Sequence, residues 1–312
     1  MMNRCPICEE SGYTQVFTST DTLYGTTSKP FHVVTCARCG LLRLHPQPTA
    51  EDLAQFYPAN YWFPGAGLAE KYRRVVLRDH VRFVARAIAR CGETGPVVDA
   101  GCGGGLFLSL MRERGYRVIG VDFSAEAARI AWKSKGVPAV CASLGGGSPI
   151  REGSCAAVTM FHVVEHLYDA RPFLDAARSM LAPNGRLVVQ VPNADSWQFA
   201  LFGKNWNGID IPRHLVNYRA SDLEVLLKRS GFEVVRRKHF SLRDNPAGFA
   251  TSVAPRLDPM RRRVRGVKES WRKAIVKDGL YFGLVVASLA PAAIEALFGR
   301  GSTIMVEARK KA

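Results

Sequence analysis

Apolar and polar residues alternate along the middle of the chain in a pattern typical of strands and helices that follow one another. Short apolar runs, separated by helical patterns, predict strands at 97–100, 117–122, 137–141, 156–161 and 186–191. A helix is predicted before them, from Leu68 to about Arg90, with an apolar face and a basic face. Strands that alternate with helices pair in parallel, so the pattern predicts an α/β fold.

The C-terminal part interrupts this alternation. The capping box Ser221-Asp222-Leu223-Glu224 opens a predicted helix that ends at Gly231. Two further strands are predicted, at 232–240 and 302–308. An insertion at about 241–300 therefore separates two strands of the same domain.

The insertion is basic in its first part and apolar in its second. Nine Lys or Arg residues lie between Arg256 and Lys277, whereas Gly279 to Ile294 contains no charged residue. That apolar run is shorter than the roughly 20 residues that a membrane-spanning helix needs. The pattern is typical of a segment that lies on an anionic membrane surface, which predicts a membrane contact through 256–298. An apolar face packed internally or against a second subunit stays an open alternative.

A glycine-rich turn follows the first strand of the α/β region. This strand contains Asp99, glycines follow at 101, 103, 104 and 105, and the second strand ends in Asp122. Glycine lets backbone approach a ligand at a helix start, and a carboxylate after the next strand accepts hydrogen bonds from ribose hydroxyls. A dinucleotide site would need glycine at position 106, which is occupied by Leu106. Asp99 would also repel the pyrophosphate of a dinucleotide. The acid instead suits a ligand with a cationic amine and no phosphate.

These residues resemble the first motif of the class I S-adenosylmethionine-dependent methyltransferases, a hydrophobic residue followed by Asp-x-Gly-x-Gly-x-Gly. The motif is matched by Asp99, Gly101, Gly103 and Gly105. The resemblance covers about 95–240 and 302–309, and it implies a Rossmann-like seven-stranded sheet with S-adenosylmethionine as cofactor. It also implies that Asp122 holds the ribose, that Phe123 lies against the adenine, and that Ser143 replaces an adenine-side acid.

Two Cys-x-x-Cys pairs near the N-terminus indicate a metal site. Four thiolates in a tetrahedron are typical ligands of structural Zn²⁺, and Gly40 suits the tight turn after the second pair. Four buried free thiols, or a ribbon that has lost its metal, are the alternatives. A closed four-thiolate site has no open position, so no catalysis is expected there. The predicted zinc ligands are Cys5, Cys8, Cys36 and Cys39.

These features predict three regions. They are a zinc-ribbon-like module at 1–45, an aromatic linker and N-terminal helix at 46–94, and a methyltransferase domain with its insertion at 95–312. A plain linker would not need many aromatic rings, so we expect them to pack the module onto the main domain or to cover the cofactor cleft. The rings in question are Phe56, Tyr57, Tyr61, Trp62 and Phe63.

The charge and the cysteine content indicate the kind of partner and the cellular compartment. The chain has 43 Lys and Arg against 27 Asp and Glu, a formal net charge of +16, which favours an anionic partner. Eight cysteines without an apolar leader near Met1 favour a reducing compartment. We therefore expect a cytoplasmic protein, held peripherally on the inner face of the membrane if the insertion binds lipid.

Two segments carry candidate catalytic groups. Glu165 and His166 follow the fourth strand, where family members with this pair place it at the mouth of the methyl-transfer site. Ubiquinone-type O-methyltransferases look similar here, and some bind a divalent ion in this segment. However, His162 stands at the position of their first acid, and hard cations prefer oxygen ligands. A capped turn with a hydrogen-bonded histidine is the alternative interpretation.

The loop before the capped helix carries the third candidate, His214. Its imidazole suits the removal of a hydroxyl proton, and the neighbouring Arg213 could hold a phosphate or carboxylate of the acceptor. A histidine with a structural role alone is the alternative. The predicted catalytic residues are His214, Glu165 and His166.

The sequence thus predicts a methyltransferase that acts on a hydroxyl of a sugar, a saccharide or a lipid-linked small acceptor. In this it resembles bacterial methyltransferases of glycan, lipid and quinone pathways. An RNA methyltransferase is the first alternative, because a zinc ribbon and a high positive charge fit nucleic acid. Against it, the segment after the fourth strand lacks the Asn/Asp-Pro-Pro-aromatic sequence common in base-amine methylation. A non-catalytic membrane-associated binding protein that retains the fold is the second alternative.

Overall fold

The computed structural model describes residues 4–57 and 67–311 as two sheets surrounded by helices. The strands are β1 (Tyr13–Ser19), β2 (Phe31–Cys36), β3 (Leu42–Leu44), β4 (Val97–Ala100), β5 (Val118–Asp122), β6 (Ala139–Cys141), β7 (Cys155–Phe161), β8 (Leu181–Pro192), β9 (Val216–Asn217), β10 (Phe232–Lys238) and β11 (Thr303–Lys310). The helices are α1 (Ala50–Gln55), α2 (Gly67–Cys91), α3 (Leu106–Arg112), α4 (Ala125–Lys135), α5 (Arg171–Met180), α6 (Trp197–Phe202), α7 (Ala220–Arg229), α8 (Asn245–Val253), α9 (Pro259–Val264), α10 (Trp271–Ala287) and α11 (Leu289–Leu297).

The larger sheet has seven strands in the order β10-β11-β8-β7-β4-β5-β6. Strands β4 to β8 pair in parallel, and β11 lies antiparallel between β8 and β10. Their central members are buried on both faces, as expected where helices cover a parallel sheet. The predicted seven-stranded α/β fold is confirmed.

The smaller sheet joins the N-terminal module to the rest of the chain. Its order is β1-β2-β3-β9, so a strand far along the sequence completes it. The register pairs Leu42 with Asn217 and Arg43 with Val216. Apolar residues of the module, including Phe31 and Leu44, belong to the same buried cluster as the helices and strands beside β7 and β8. The module is therefore continuous with the main core.

Two local expectations differ from the structure. Helix α7 begins at Ala220, and Asp222 instead of Glu224 closes the capping box, because its carboxylate accepts a hydrogen bond from the backbone N–H of Arg219 at 3.0 Å. The sequence Pro183-Asn184-Gly185 is typical of a turn, but it lies inside β8, which begins at Leu181. The pairing with β7 is irregular there, so these residues bulge from the ladder while the strand continues.

The insertion after β10 is helical and comprises α8 to α11. Helices α10 and α11 both pack against α8. The chain then returns through β11 to a position beside β10, where the two strands pair along six residues. The insertion thus leaves the sheet and re-enters it at neighbouring strands.

Candidate functional site

The glycine-rich turn lies at the carboxyl end of β4, where the backbone approaches two neighbouring segments. Gly101 has a φ of +78°, and a Cβ there would lie 2.5 Å from Cγ2 of Val163. Gly105 has a φ of +73°, and its Cβ would lie 2.9 Å from Cβ of Ala131. Any side chain at either position would clash in a backbone conformation that L-residues rarely adopt. The glycines therefore keep the turn tight at the start of α3.

Asp99 is buried beneath this turn. Its Oδ1 accepts a hydrogen bond from the hydroxyl of Thr159 at 2.5 Å. Burial raises the pKa of Asp99 to about 7, although the Thr159 hydrogen bond opposes the rise. A carboxyl group with a raised pKa favours a cationic partner, because a positive charge would stabilise its ionised form. This fits a ligand with an ammonium group.

Asp122 ends β5 beside the same turn. Its Oδ2 accepts a hydrogen bond from the backbone N–H of Gly103 at 2.8 Å, and its Oδ1 accepts one from Ser124 at 2.9 Å. These bonds fix the carboxylate while each oxygen keeps a second lone pair for a ligand hydroxyl. Phe123 is 66% exposed next to it, and Ser143 is exposed after β6 at the same sheet edge. The predicted cofactor residues thus line one edge and suit a nucleoside with an amine.

The three predicted catalytic residues are brought together at the same end of the sheet. Glu165 and His166 lie in a short 3-10 turn after β7, and His214 reaches them from the loop before β9. One carboxylate oxygen of Glu165 and one ring nitrogen from each histidine all lie within 4.8 Å of one another. Nε2 of His214 lies 4.0 Å from Oε1 of Glu165. The two imidazole rings meet edge to face at 4.7 Å. His214 is distant in sequence from the adjacent Glu165 and His166, so the fold brings it to them.

Both histidines are oriented by backbone carbonyl groups. Nδ1 of His166 donates to the carbonyl oxygen of Arg213 at 3.0 Å, and Nδ1 of His214 donates to that of Gly208 at 2.9 Å. A neutral imidazole whose Nδ1 carries the proton presents a basic Nε2. Burial lowers the pKa of His166 to about 4, so this ring is neutral near pH 7. Oε2 of the buried Glu165 has no hydrogen-bond partner among the described residues. The cluster is therefore rich in proton acceptors.

His162 supports the cluster from the other side. Its Nδ1 lies 3.1 Å from Oε1 of Glu165, and its Nε2 lies 3.5 Å from Oδ1 of Asp244. Burial lowers the pKa of His162, but these two carboxylates outweigh it and raise the pKa to about 9. The protonated ring neutralises part of the negative charge around Glu165. The sequence showed His162 only as a departure from a related motif, and no pattern pointed to Asp244.

Tyr57 lies between the residues around the glycine-rich turn and the Glu165–His166–His214 cluster. Its ring lies 6.3 Å from the ring of Phe123 and 6.3 Å from that of His166, and its hydroxyl oxygen is 3.0 Å from Nδ1 of His166. Phe56 packs at 5.7 Å against Phe31 of the N-terminal module. Phe56 thus contacts the module and Tyr57 lies near Phe123 and His166, whereas the covering of a cofactor cleft stays a prediction. Tyr61, Trp62 and Phe63 lie outside the described residues.

Arg213 does not have the role expected from the sequence. Its side chain is fully buried and forms ion pairs with Asp21 and Asp210 at 2.9 Å and 2.6 Å. A guanidinium group enclosed by two carboxylates has no free donors for an acceptor molecule. The prediction that Arg213 binds a phosphate or carboxylate of the acceptor is wrong, because the residue instead joins the module to the loop before β9.

The four N-terminal cysteines form a compact cluster in the module. Their sulfur atoms lie within 4.8 Å of one another, with Cys5 3.5 Å from Cys39 and Cys8 3.5 Å from Cys36. Burial raises the pKa of Cys36, but hydrogen bonds from the N–H groups of Cys39 and Arg38 outweigh it and lower the pKa to about 7. Four thiols at these separations fit a tetrahedral Zn²⁺ site with Zn–S bonds of about 2.3 Å.

A cleft of about 460 Å³ lies between the N-terminal module, the loop before β9 and α8. Its walls include Thr22 of the module, Asp210 of the loop and Ser252 of α8, with Trp206 and Arg261 beside them. Oδ2 of Asp210 lies 4.0 Å from Nε2 of His214, so the cleft borders the histidine cluster. Its size and mixed lining suit a small polar molecule.

In sequence and in fold, this chain is similar to methyltransferases. A family model described as a methyltransferase domain matches residues 69–237. A Mycolicibacterium smegmatis protein, assigned as an S-adenosylmethionine-dependent methyltransferase, is 30% identical over 180 residues, 56% of this chain and 60% of the relative. The C-methyltransferase NovU of Streptomyces niveus is 28% identical over 217 residues, 68% of this chain and 48% of the relative. This chain thus spans about half to three fifths of the length of these curated relatives.

The fold is similar to that of a crystal structure from Galdieria sulphuraria, assigned as a sarcosine dimethylglycine methyltransferase. The TM-score is 0.50 at 14% identity, and the match covers 74% of this chain and 85% of that chain. At this identity the similarity shows the shared fold alone.

Proposed function

The chain belongs to the methyltransferase-domain family, and from this premise we propose that it transfers the methyl group of S-adenosylmethionine to a hydroxyl group of a small acceptor. We favour a sugar, a saccharide or a lipid-linked acceptor. One observation carries the proposal: the parallel sheet brings the glycine turn and the Glu165–His166–His214 cluster to the same edge. Direct contact between the two halves is indicated by Gly101, whose Cβ position would meet Val163, two residues before Glu165.

The cofactor side of the proposal rests on the turn after β4. Backbone from Gly101 to Gly105 and the Asp99 carboxylate would hold the methionine part, and Asp122 would hold the ribose hydroxyls. Phe123 would cover the adenine, with Ser143 nearby. When bound, S-adenosylmethionine supplies an electrophilic methyl group on a sulfonium. The protein's own task is then to position the acceptor in line with that group and to exclude water.

We assign proton removal to His214, assisted by Glu165. Nε2 of His214 would take the hydroxyl proton and leave the electron pair of the O–H bond on the acceptor oxygen for its new bond to the methyl carbon, with S-adenosylhomocysteine as the leaving group. Glu165, 4.0 Å from this nitrogen, stabilises the imidazolium that results. Burial keeps the His166 ring neutral. Its Nε2 can therefore accept a second hydrogen bond from the molecule that is methylated.

The cleft beside Asp210 is the proposed acceptor site. It borders His214, and its lining offers hydroxyl, amide and carboxylate groups together with the Trp206 ring and the Arg261 guanidinium. Such a mixture suits a sugar, whose hydroxyls need polar partners and whose ring faces pack on apolar surface. This location makes the N-terminal module one wall of the acceptor site.

Methylation at carbon is a second candidate, favoured by the similarity to a C-methyltransferase over 68% of this chain. The same pair, His214 and Glu165, could remove a proton from a carbon next to a carbonyl group. The site residues do not distinguish the two acceptor atoms. Product analysis by NMR separates them, because O-methyl and C-methyl carbons differ strongly in chemical shift.

The test is a measurement of S-adenosylhomocysteine release by the purified full chain. The acceptor panel comprises nucleotide sugars, polyprenyl-linked saccharides, quinols and RNA. We expect turnover with a sugar-containing acceptor, and we expect H214A to reduce kcat by roughly a hundredfold or more while S-adenosylmethionine binding is kept. The matched control is H32A, which removes a histidine from β2 of the module, outside the cluster.

Two outcomes would contradict the proposal. Turnover with RNA alone, with salt-sensitive RNA binding, would favour the RNA methyltransferase alternative. Binding of S-adenosylmethionine without turnover on any acceptor would favour a non-catalytic protein that retains the fold. If H214A and H32A have equal turnover, the base is another residue.

We further propose that the four-cysteine cluster binds one structural Zn²⁺. The sulfur separations and the absence of an open position in a four-thiolate site support a structural role. Elemental analysis of the purified protein would show one zinc per chain, and C8S would lower that ratio. A cysteine outside the cluster, changed in C91S, serves as the control.

A further inference from the structure

Helices α10 and α11 present many large apolar side chains to solvent. We call this surface the outer face, and it is formed by Trp271, Ile275, Val276, Leu280, Phe282, Val286, Ile294, Leu297 and Phe298, which are between 49% and 85% exposed. Exposed apolar side chains that form one contiguous surface mark an interaction site more often than scattered ones do. The proposed methyltransferase activity does not account for this surface.

These helices already have a separate packing face. Tyr281, Val285, Ser288, Ala292 and Glu295 follow one another at intervals of three or four residues, and the last four are buried. The hydroxyl of Tyr281 lies 2.8 Å from that of Thr251 in α8. Glu295 accepts a hydrogen bond from Gln198 at 2.6 Å. The insertion is therefore packed on the protein through this stripe, and the outer face points away from the core.

Exposed basic residues lie at one end of the outer face. Between Asp278 and Glu295 the sequence contains no charged residue, and Glu295 is buried. Exposed basic residues cluster instead at the start of α10 and just before it, at Lys268, Arg272 and Lys273. An apolar face beside basic residues complements an anionic lipid surface, in which acyl chains lie beneath negatively charged headgroups.

Aromatic side chains border the apolar surface. The ring of Trp197, from α6, lies 5.2 Å from that of Phe298, and the ring of Tyr72, from α2, lies 6.2 Å from that of Phe282. Trp and Tyr favour the boundary between acyl chains and headgroups, because their rings are apolar and also carry a polar group. The border thus carries residue types that favour this boundary.

The topology argues against a helix that crosses the bilayer. Trp271–Leu297 is long and apolar enough to span a membrane by length and composition. However, the chain leaves the sheet at β10 and returns at β11, which are hydrogen-bonded neighbours. A single crossing would place these two strands on opposite sides of the membrane. Any membrane contact of these helices would therefore run along the bilayer surface.

We propose that the outer face of α10 and α11 docks this protein peripherally on an anionic membrane, with the basic residues at Lys268, Arg272 and Lys273 on the lipid headgroups. This docking is independent of methyl transfer. It would bring the acceptor cleft close to a lipid-held substrate, since α8 both carries these helices and lines the cleft.

The experiment is vesicle co-sedimentation of the full chain. One set of vesicles is phosphatidylcholine alone, and the other is an equal mixture of phosphatidylcholine and phosphatidylglycerol. We expect binding to the mixed vesicles that weakens with added salt, and about a fivefold loss of affinity for each charge removed in R272Q/K273Q. The double variant I275E/L280E, at positions about 60% exposed, should abolish binding without lowering the melting temperature.

The matched control is V16E/V235E, which adds the same charge at exposed valines on β1 and β10. It should bind the mixed vesicles like the unchanged protein. The proposal is overturned if the unchanged protein does not bind mixed vesicles, or if I275E/L280E binds as well as the control. A concentration-dependent dimer, seen by light scattering and abolished by I275E/L280E, would also overturn it by assigning the outer face to a second copy of the chain.

Discussion

Arg213 donates two hydrogen bonds to the carboxylate of Asp21, at 3.0 Å and 2.9 Å, in a fully buried pair that links residues 192 positions apart in sequence. The carbonyl oxygen of the same Arg213 accepts the hydrogen bond from Nδ1 of His166. Asp210 completes the surroundings of the guanidinium group. One residue therefore joins the cysteine-containing module to a histidine of the proposed acceptor site.

The first prediction concerns the stability of this pair. D21N removes one negative charge and leaves the buried guanidinium with Asp210 as its remaining carboxylate partner. We expect the free energy of unfolding to fall by about 3 kcal/mol, as is typical when one partner of a buried ion pair is lost. Urea denaturation followed by circular dichroism measures the change.

The matched comparison is D21N/D210N/R213M, which removes the guanidinium group together with both of its carboxylate partners. It should recover much of the lost free energy, because replacing all members of a buried ion-pair group often has little net effect. If D21N alone unfolds at the same urea concentration as the unchanged protein, the pair does not hold the module to the loop.

A second prediction concerns the loss of zinc. C8S or a strong chelator should reduce acceptor turnover by about tenfold or more, since small displacements of catalytic groups have large effects on rate. Binding of S-adenosylmethionine should stay within about twofold, because the glycine turn follows a strand of the larger sheet and the cysteines belong to the N-terminal module. Calorimetry and turnover assays on the same samples separate the two effects. Equal losses of binding and turnover would instead indicate global unfolding.

The sequence predicted those parts of the site that depend on local chemistry. The glycines form a turn after β4, and Asp99 and Asp122 lie near the ends of β4 and β5. Their spacing in the sequence was therefore enough to locate them. The four cysteines were found for the same reason. By contrast, the partners of Arg213 come from distant segments, and no local pattern distinguishes an arginine that binds a substrate from one enclosed by Asp21 and Asp210.

The smaller sheet shows the same limit. Strand β9 has only two residues, and its pairing with β3 depends on how the loop after Arg213 folds back onto the module. A run of two residues gives no periodicity from which to predict a strand. The network of His162 with Asp244 likewise depends on the insertion, which returns a carboxylate to the sheet edge.

A third prediction uses the raised pKa of Asp99. A buried carboxyl with a pKa of about 7 is partly protonated near neutrality, and a cationic ammonium group binds best to its ionised form. Affinity for S-adenosylmethionine should therefore rise with pH up to about 7, by as much as tenfold per unit, and then level off. Titration calorimetry at several pH values tests this. D99N should bind weakly with a flatter profile, and T159V should move the midpoint upward, since it removes a hydrogen bond that lowers the pKa of Asp99.

The fourth prediction concerns stability in acid. His80 is fully buried on α2, and its Nε2 lies 3.8 Å from Oδ2 of Asp244. The charges of Arg243, Asp79 and His162 also affect the pKa of His80. Burial lowers its pKa from 6.5 to about 4, so the unfolded chain binds a proton at pH 5 that the folded protein does not. The free energy of unfolding should then decrease as the pH falls from about 6.5 to 4, by up to about 3 kcal/mol from this group. H80L removes the titration and should flatten the profile over that window, and His166, whose pKa is lowered in the same direction, accounts for a residual slope. Urea midpoints measured across this range decide the matter, because an unchanged slope in H80L would show that His80 is not responsible.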